Sequence, residues 1–413
     1  MRPQTTPIHP GNIAYLRAMQ ASISPTGPSA APPEWGLYLH FPFCRSKCPY
    51  CDFYSLPTRR GEVPAEYTEL ILQEFKLLRQ ELDLGQSLPP EAPLHFRTIY
   101  LGGGTPSLLT PEILGDLLDQ LGCSEDVTLE CNPEGLDGAY FAGIRAAGIT
   151  RVSIGVQSLD SRVLRLLGRR HDAQVALAAI RNARSAGIED ISADLIYGIP
   201  TQSIESLIDS LQELAHFEGM DHISAYHLTA EPGTAYGRRV ARGSVLEVDE
   251  DTSERHFRLV HGILERAGFD HYEVSSFARN GRYARHNMAY WSGGRYLGLG
   301  PGAHSYDGHN RWWNPPDWTA YSQSLRSGQL PRVVEHLTDA NRLDEWIMTG
   351  LRTRWGLNLT HGAETFGHQS INLLRRRASR WIEQGIAYEQ DGCLRIHPEH
   401  LLISDAVILD LAE

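Results

Sequence analysis

Short apolar runs alternate with longer amphipathic stretches between residues 35 and 268. In Ala65–Leu84, the apolar residues Leu70, Ile71, Phe75 and Leu78 recur at helical spacing, which predicts a helix with one buried face. The predicted strands are Leu37–Phe41, Thr98–Leu101, Val127–Glu130, Arg151–Val156, Asp190–Ile196 and His222–Leu228. The predicted helices are Ala65–Leu84, Pro111–Leu121, Leu136–Ala147, Ala173–Ala186, Ile204–Phe217 and Glu250–Ala267. Because helical crossovers join parallel strands, this alternation predicts an α/β fold with a mostly parallel sheet.

The chain divides into four parts by composition. Residues 1–34 are rich in Pro, Ser, Thr and Ala, and we expect a flexible N-terminal tail there. Residues 35–268 carry the strand–helix alternation. Residues 269–338 form a connecting region that is rich in aromatic residues, Gly and Pro, and residues 339–413 are interpreted as a small C-terminal domain.

Two amphipathic segments and a turn signal define the predicted C-terminal domain. Helices Ala340–Trp355 and Ser370–Gln384 precede a hairpin whose turn is Asp391-Gly392. This order of elements is similar to that of a winged-helix module.

Composition narrows the class of function. The 413 residues contain 38 Lys and Arg and 50 Asp and Glu, which gives a net charge of −12. This charge argues against a general affinity for nucleic-acid backbone, so we expect no nucleic-acid partner. No apolar run approaches the length of a membrane span and no secretory signal is evident, so we expect a cytoplasmic protein.

Three of the six cysteines lie within eight residues, directly after the first predicted strand. Cys44, Cys48 and Cys51 bring three thiols together, and thiolates bind soft metals and iron–sulfur clusters. A structural zinc site uses four ligands, and no fourth Cys lies nearby. Three ligands therefore favour a four-iron cluster with one iron open to an external ligand, and zinc is the alternative. We expect shielding of the site by the aromatic residues Phe43, Tyr50 and Phe53. We expect the other cysteines to be buried small residues: Cys123, Cys131 and Cys393.

The pattern Cys-x3-Cys-x2-Cys, followed by six strand–helix units, resembles the radical S-adenosylmethionine (SAM) enzymes. The resemblance implies a partial (β/α)6 barrel, similar to a TIM barrel but open at one side. It implies a [4Fe–4S] cluster that is held by Cys44, Cys48 and Cys51, with SAM bound at the fourth iron. The cofactor would supply a 5′-deoxyadenosyl radical, while the protein orients and shields it.

Segments at the predicted strand ends resemble one subgroup, the oxygen-independent coproporphyrinogen III oxidases and their relatives, the haem chaperones called HemW. These segments are His40-Phe-Pro-Phe-Cys, Gly-Gly-Gly-Thr-Pro-Ser, Glu-Cys-Asn-Pro-Glu, Gly-Val-Gln-Ser, Leu-Gly-Arg-Arg-His and Asp194-Leu-Ile-Tyr-Gly-Ile-Pro. In parallel barrels the functional residues lie at the carboxyl ends of the strands. The resemblance implies SAM contacts from Tyr38, Tyr50, Gly103, Gly104, Thr105, Glu130, Gln157, Arg169 and Asp194.

Two features distinguish the chaperones from the oxidases. The oxidases carry another Cys two positions after the last cluster ligand, where this chain has Phe53. The segment His286-Asn-x-x-Tyr-Trp matches a motif of the haem chaperones, and His is a usual axial ligand of haem iron. By its chemistry alone the segment also suits a capped turn with core aromatic residues. Together with Phe53, it makes four residues haem-contact candidates: His286, Asn287, Tyr290 and Trp291. Two nearby histidines are alternative ligands or plain loop residues: His304 and His309.

These features lead to a functional hypothesis. The chain is predicted to bind haem and deliver it to apo-haem proteins such as respiratory enzymes, while carrying a [4Fe–4S] cluster and SAM. The alternative is an oxygen-independent coproporphyrinogen III oxidase, which forms protoporphyrinogen IX by radical oxidative decarboxylation. Loose membrane association is compatible with both hypotheses. Catalytic residues and the oligomeric state are not assigned.

Overall fold

The protein is described by a computed structural model that covers residues 35–58, 62–82, 84 and 94–412. The predicted N-terminal tail, residues 1–34, lies outside the described residues. None of the helices in the described ranges is long and apolar enough to span a membrane.

All six predicted strands are present, and their ends agree with the sequence prediction to within two residues. The strands are β1 (Gly36–Phe41), β2 (Thr98–Gly103), β3 (Val127–Cys131), β4 (Arg151–Gln157), β5 (Asp190–Tyr197) and β6 (His222–His227). They pair in parallel in the order β1-β2-β3-β4-β5-β6, so that their carboxyl ends meet at one edge. The predicted six-unit partial barrel is therefore confirmed.

Helices connect the strands and cover the outside of the sheet. The six predicted ones are α1 (Tyr67–Glu81), α2 (Pro111–Leu121), α3 (Gly138–Ala146), α5 (Ala173–Ser185), α6 (Ile204–Ala215) and α8 (Glu250–Arg266). Two shorter helices, α4 (Ser161–Leu166) and α7 (Ala235–Ala241), lie in loops and were not predicted. The boundaries follow capping chemistry, because the N-cap side chains accept hydrogen bonds from the first-turn amides. These caps include Thr110, Asp172, Ser203 and Asp249.

Residues 269–338, predicted only as a connecting region, widen the sheet at both edges. The added strands are β7 (Asp270–Glu273), β8 (Ser276–Ala278), β9 (Tyr296–Leu299), β10 (His304–Tyr306), β11 (Asn310–Trp313) and β12 (Val333–His336). The full order is β7-β8-β6-β5-β4-β3-β2-β1-β9-β10-β11-β12. Strand β9 pairs in parallel with β1, with Tyr38 beside Gly298. All six strands have three or four residues and are joined by turns or short helices, which is why the strand–helix rhythm does not reveal them. Helices α9 (Arg285–Trp291) and α10 (Trp318–Arg326) complete the region.

The C-terminal part contains the predicted helices and hairpin. The helices are α11 (Asp339–Leu351), α12 (Leu359–Phe366), α13 (His368–Glu383) and α14 (Ser404–Leu411). A small sheet joins β13 (Leu357–Asn358), β14 (Ala387–Gln390) and β15 (Cys393–Ile396). The hairpin turn has positive φ at Asp391 (53°) and Gly392 (72°), as expected for a tight two-residue turn.

Candidate functional site

The three-cysteine loop is fixed at both ends by backbone pairing. Residues Phe43–Cys44 form a short parallel bridge with Leu56–Pro57, so the chain leaves and returns beside the end of β1. Within the loop, the Cys51 N–H donates to the Cys48 carbonyl at 3.2 Å. Phe43 is buried and packs edge-on against Trp318, at a ring-centroid distance of 5.3 Å.

Hydrogen-bond donors surround the thiols. The Thr105 hydroxyl donates to Cys44 Sγ at 3.4 Å, and Arg169 Nη1 donates to Cys48 Sγ at 3.7 Å. Burial raises the pKa of the Cys44 thiol, and the Thr105 hydrogen bond opposes that rise. Burial likewise raises the pKa of Cys51. Donors aimed at sulfur stabilise thiolates, which are the form that binds a cluster.

The donor set suits an iron–sulfur cluster. Three thiols and no fourth Cys lie on this loop, and Thr105 and Arg169 direct hydrogen bonds at two of the thiols. Three soft thiolate ligands fit a [4Fe–4S] cluster that keeps one iron open to an external ligand.

Two expectations about this part of the sequence are wrong. Phe53 is 64% exposed, so it does not shield the thiols, whereas Phe43 is buried. Cys123 is exposed because it lies on a short outer strand, although Cys131 is buried as expected and Cys393 is half-buried.

The glycine loop after β2 lies directly against the cysteine loop. Gly103 has φ = 106°, and a Cβ there would lie 2.5 Å from Cε1 of the His40 ring. A Cβ on Gly104 would lie 2.7 Å from the carbonyl oxygens of both Phe41 and Phe43. The Gly104 N–H donates to the Phe41 carbonyl at 2.7 Å. Only glycine permits this close approach of two backbones.

Two half-buried carboxylates lie on neighbouring parts of the sheet, Glu130 near the end of β3 and Asp194 within β5. Glu130 accepts hydrogen bonds from the Tyr100 hydroxyl at 2.8 Å and the Gly103 N–H at 3.0 Å. Asp194 accepts from the Ser153 hydroxyl at 3.0 Å. Burial raises the pKa of Glu130 to about 7 and that of Asp194 to about 6, and their mutual repulsion adds to the rise for Glu130. Such carboxylates suit a ligand that carries positive charge and hydrogen-bond donors, as SAM does.

Arg169 links the neighbouring strand ends. Its Nη2 atom donates to Asn132 Oδ1 at 2.7 Å and to the Gly155 carbonyl at 2.8 Å. Its buried Nε has no hydrogen-bond partner among the residues that the structure describes. Asn132 in turn donates to the Thr105 hydroxyl at 3.1 Å. Gln157 has φ = 64°, a left-handed conformation that is uncommon outside glycine and concentrates at functional sites. Arg169, Thr105 and Asn132, with Cys48, line a cavity of about 240 Å³.

The structure thus places the predicted cluster and SAM residues on the barrel strands and in the segments that follow their carboxyl ends. We define the inner face of the sheet as the face that carries Tyr38, Tyr100 and Glu130. Tyr38 packs on Tyr100 with ring centroids 6.1 Å apart. The assignment of individual contacts to SAM stays a prediction.

The predicted haem motif lies on helix α9, which packs against β2. His286 is 2% exposed, and its ring stacks on Tyr100 with centroids 5.0 Å apart. Its Nδ1 is hydrogen-bonded to the Thr98 hydroxyl at 2.8 Å and its Nε2 to the Tyr290 hydroxyl at 2.7 Å. Burial lowers the pKa of His286 to about 3, so the ring is neutral at pH 7. Both ring nitrogens are occupied in this arrangement. Asn287 and Trp291 are half-buried.

His40 joins the cysteine loop to the glycine loop, a role that the sequence did not predict. Its Nδ1 is hydrogen-bonded to the Tyr38 hydroxyl at 3.0 Å and its Nε2 to the Tyr54 carbonyl at 2.8 Å. His40 is buried, and burial lowers its pKa. Its position two residues after Tyr38, on the same face of β1, is the signal that could have identified it.

Comparison with known proteins agrees with this geometry. The model of the radical SAM superfamily matches residues 38–214. The haem chaperone HemW of Mycobacterium tuberculosis is 38% identical over 95% of this chain and 98% of its own length. The mitochondrial radical S-adenosyl methionine domain-containing protein 1 of Mus musculus is 34% identical over 94% of this chain and 89% of its own.

A solved structure shares the fold. Coproporphyrinogen III oxidase (HemN) from Escherichia coli, a radical SAM enzyme, superposes with a TM-score of 0.77 over 96% of this chain and 93% of its own. The two sequences are 20% identical, so this likeness concerns the fold alone.

Proposed function

Because the chain belongs to the radical SAM superfamily, within the family of the HemW haem chaperones, we propose that it binds haem and delivers it to apo-haem proteins. In this proposal it carries a [4Fe–4S] cluster and SAM. The observation that carries the proposal is a complete set of cluster and SAM residues combined with Phe53 in place of the oxidases' extra Cys.

The residues have separate roles in this proposal. Cys44, Cys48 and Cys51 would hold the cluster, which would supply one-electron chemistry towards bound SAM. Glu130 and Asp194 would accept hydrogen bonds from the ligand at the strand ends. The remaining SAM contacts are proposed for Tyr38, Tyr50, Gly103, Gly104, Thr105, Gln157 and Arg169.

A haem titration of the cluster-reconstituted protein tests the proposal. We expect saturable binding with a defined absorbance change, and much weaker binding to an unrelated protein of similar size and negative charge. Equal binding to both proteins would refute the proposal.

The fold of coproporphyrinogen III oxidase supports the second candidate, radical oxidative decarboxylation of coproporphyrinogen III. Phe53 opposes it, because a phenyl ring cannot supply a thiol and is here turned largely towards solvent. In an anaerobic assay with SAM, a reductant and coproporphyrinogen III, we expect no protoporphyrinogen IX. Sustained turnover would favour the oxidase over the chaperone.

The recipients in this proposal are apo-haem proteins such as respiratory enzymes. We place the protein in the cytoplasm with loose membrane association, since many such recipients act at membranes. Co-purification with membranes at low and high salt would test the association.

A further inference from the structure

We propose that His304, on the inner face of the added strands, is the axial ligand of the haem iron. This inference rests on the proposed function, because it names a residue that binds the haem. It differs from the expectation for the motif on α9, whose histidine has no free ring nitrogen.

His304 has ring nitrogens that are free to bind iron. An axial ligand must present a neutral imidazole nitrogen with a free lone pair. On the inner face, His40 and His286 each have both ring nitrogens hydrogen-bonded. The side chain of His304 is exposed and, among the described residues, makes no hydrogen bond. Ligation by His286 through Nε2 would break its buried hydrogen bond to the Tyr290 hydroxyl, whereas ligation by His304 breaks none.

The His304 side chain points to the inner face of the sheet. His304 begins β10, two residues before Tyr306, whose ring packs against Tyr296 on β9. Tyr296 packs against Tyr290, and Tyr290 is hydrogen-bonded to the inner-face residue His286. Because alternate residues of a strand share a face, His304 points to this same side.

An aromatic ring stacks beside the His304 imidazole. His304 is paired with Trp313 of β11, and the two rings stack at 22° with centroids 5.8 Å apart. Desolvation by the neighbouring side chains and the nearby Arg311 lower the pKa of His304, which favours the neutral imidazole that binds iron. The stack fixes the orientation of the imidazole, and Trp313 adds an apolar surface beside it. These groups fit a flat, apolar macrocycle whose iron takes a nitrogen ligand.

His304 lies near the predicted cluster and SAM residues. Strand β9 lies between β10 and β1, and β1 carries Tyr38 and His40. Gly298 of β9 pairs with Tyr38, and a Cβ on Gly298 would lie 2.0 Å from the His304 carbonyl oxygen. A haem bound at His304 would therefore lie beside the predicted SAM residues at the barrel edge that the added strands extend.

The neighbouring His309 offers a matched control. It is also exposed, but it lies in the hairpin turn after β10, where its backbone N–H donates to Asp307 at 2.8 Å. Among the described residues no aromatic ring packs against it, in contrast to His304. It tests whether any exposed histidine of this hairpin can ligate haem.

Haem titrations of the full-length, cluster-reconstituted protein and its variants test the assignment. Resonance Raman spectroscopy of the ferrous haem complex detects an iron–histidine stretch independently of the cluster. We expect His304→Gly to lose that stretch and to bind haem about tenfold or more weakly. Added imidazole should restore the nitrogen-ligated spectrum, and His309→Gly should behave like the wild type. Circular dichroism confirms that each variant is folded.

The outcomes separate the two claims. A His304→Gly variant with the wild-type spectrum would overturn the ligand assignment alone. A wild-type protein that binds haem no better than an unrelated acidic protein would overturn the proposed function and the assignment with it.

Discussion

At the scale of single residues, the site is built from polar side chains that hold one another in place. Arg169 binds Asn132, Asn132 binds Thr105, and Thr105 donates to Cys44 Sγ. The sequence could predict that these residues lie together, since they follow parallel strands. It could not predict their hydrogen bonds, because those depend on how neighbouring loops pack.

Removing the Thr105 hydroxyl should change the cluster without removing it. In Thr105→Val, Cys44 loses a hydrogen bond that favours the more negative, reduced cluster, so we expect a lower reduction potential. An EPR-monitored redox titration measures this. The control Thr110→Val removes an exposed N-cap hydroxyl on α2 and should leave the potential unchanged. An unaltered potential in Thr105→Val would contradict the role assigned to the hydroxyl.

Gly103 should tolerate no side chain. In Gly103→Ala the methyl group meets the His40 ring, which is fixed by two hydrogen bonds, and positive φ adds strain. We expect SAM affinity to fall about tenfold or more, which corresponds to roughly 1.4 kcal/mol or more. Calorimetric titration with SAM measures it. Gly135→Ala is the matched control, because Gly135 also has positive φ (77°) but has open space around it. Equal losses in both variants would show that backbone strain alone is responsible.

At the scale of elements, helix α1 is tied to the loop between β9 and β10 by one buried carboxylate. Glu74 accepts hydrogen bonds from the Gly300 N–H at 2.8 Å, Asn314 Nδ2 at 2.5 Å and the Tyr321 hydroxyl at 2.7 Å. This loop leads directly into His304. The sequence predicts α1 and its apolar face, and the helical spacing puts Glu74 on that face, but the partners of its carboxylate appear only in the tertiary structure.

Glu74 should make stability depend on pH. Burial raises its pKa in the folded protein from 4.5 to about 7, so the folded state retains a proton that the unfolded state has lost. Its contribution is therefore fully present below pH 4.5 and is lost as the pH rises through 7. We expect the free energy of unfolding of the wild type, relative to Glu74→Gln, to fall by roughly 3 kcal/mol between these limits. Denaturant titrations at several pH values measure this.

The control for this prediction lies on the same helix. Glu69 is exposed, so Glu69→Gln should leave the pH dependence of the wild type intact. A pH dependence in Glu74→Gln equal to that of the wild type would contradict the role of the buried carboxylate.

At the scale of the whole molecule, the added strands are the main part of the fold that the sequence does not predict. The six parallel strands could be predicted because their apolar runs alternate with amphipathic helices. The strands β9 to β12 could not, because runs of three or four residues between turns carry little periodic signal. Helix α9 could not be predicted either, because its seven residues are too few for a clear helical period. These elements place His304 beside the cluster and SAM residues, which links the haem proposal to the barrel.

Transfer of haem tests the central claim most directly. Haem-loaded protein is mixed with an apo-haem respiratory protein and an excess of an unrelated apo-haem scavenger, and the two acceptors are distinguished by their absorbance. The account predicts that the respiratory acceptor fills faster from the loaded protein than from free haem at equal concentration. Filling at the same rate from both sources, with most haem reaching the scavenger, would contradict it.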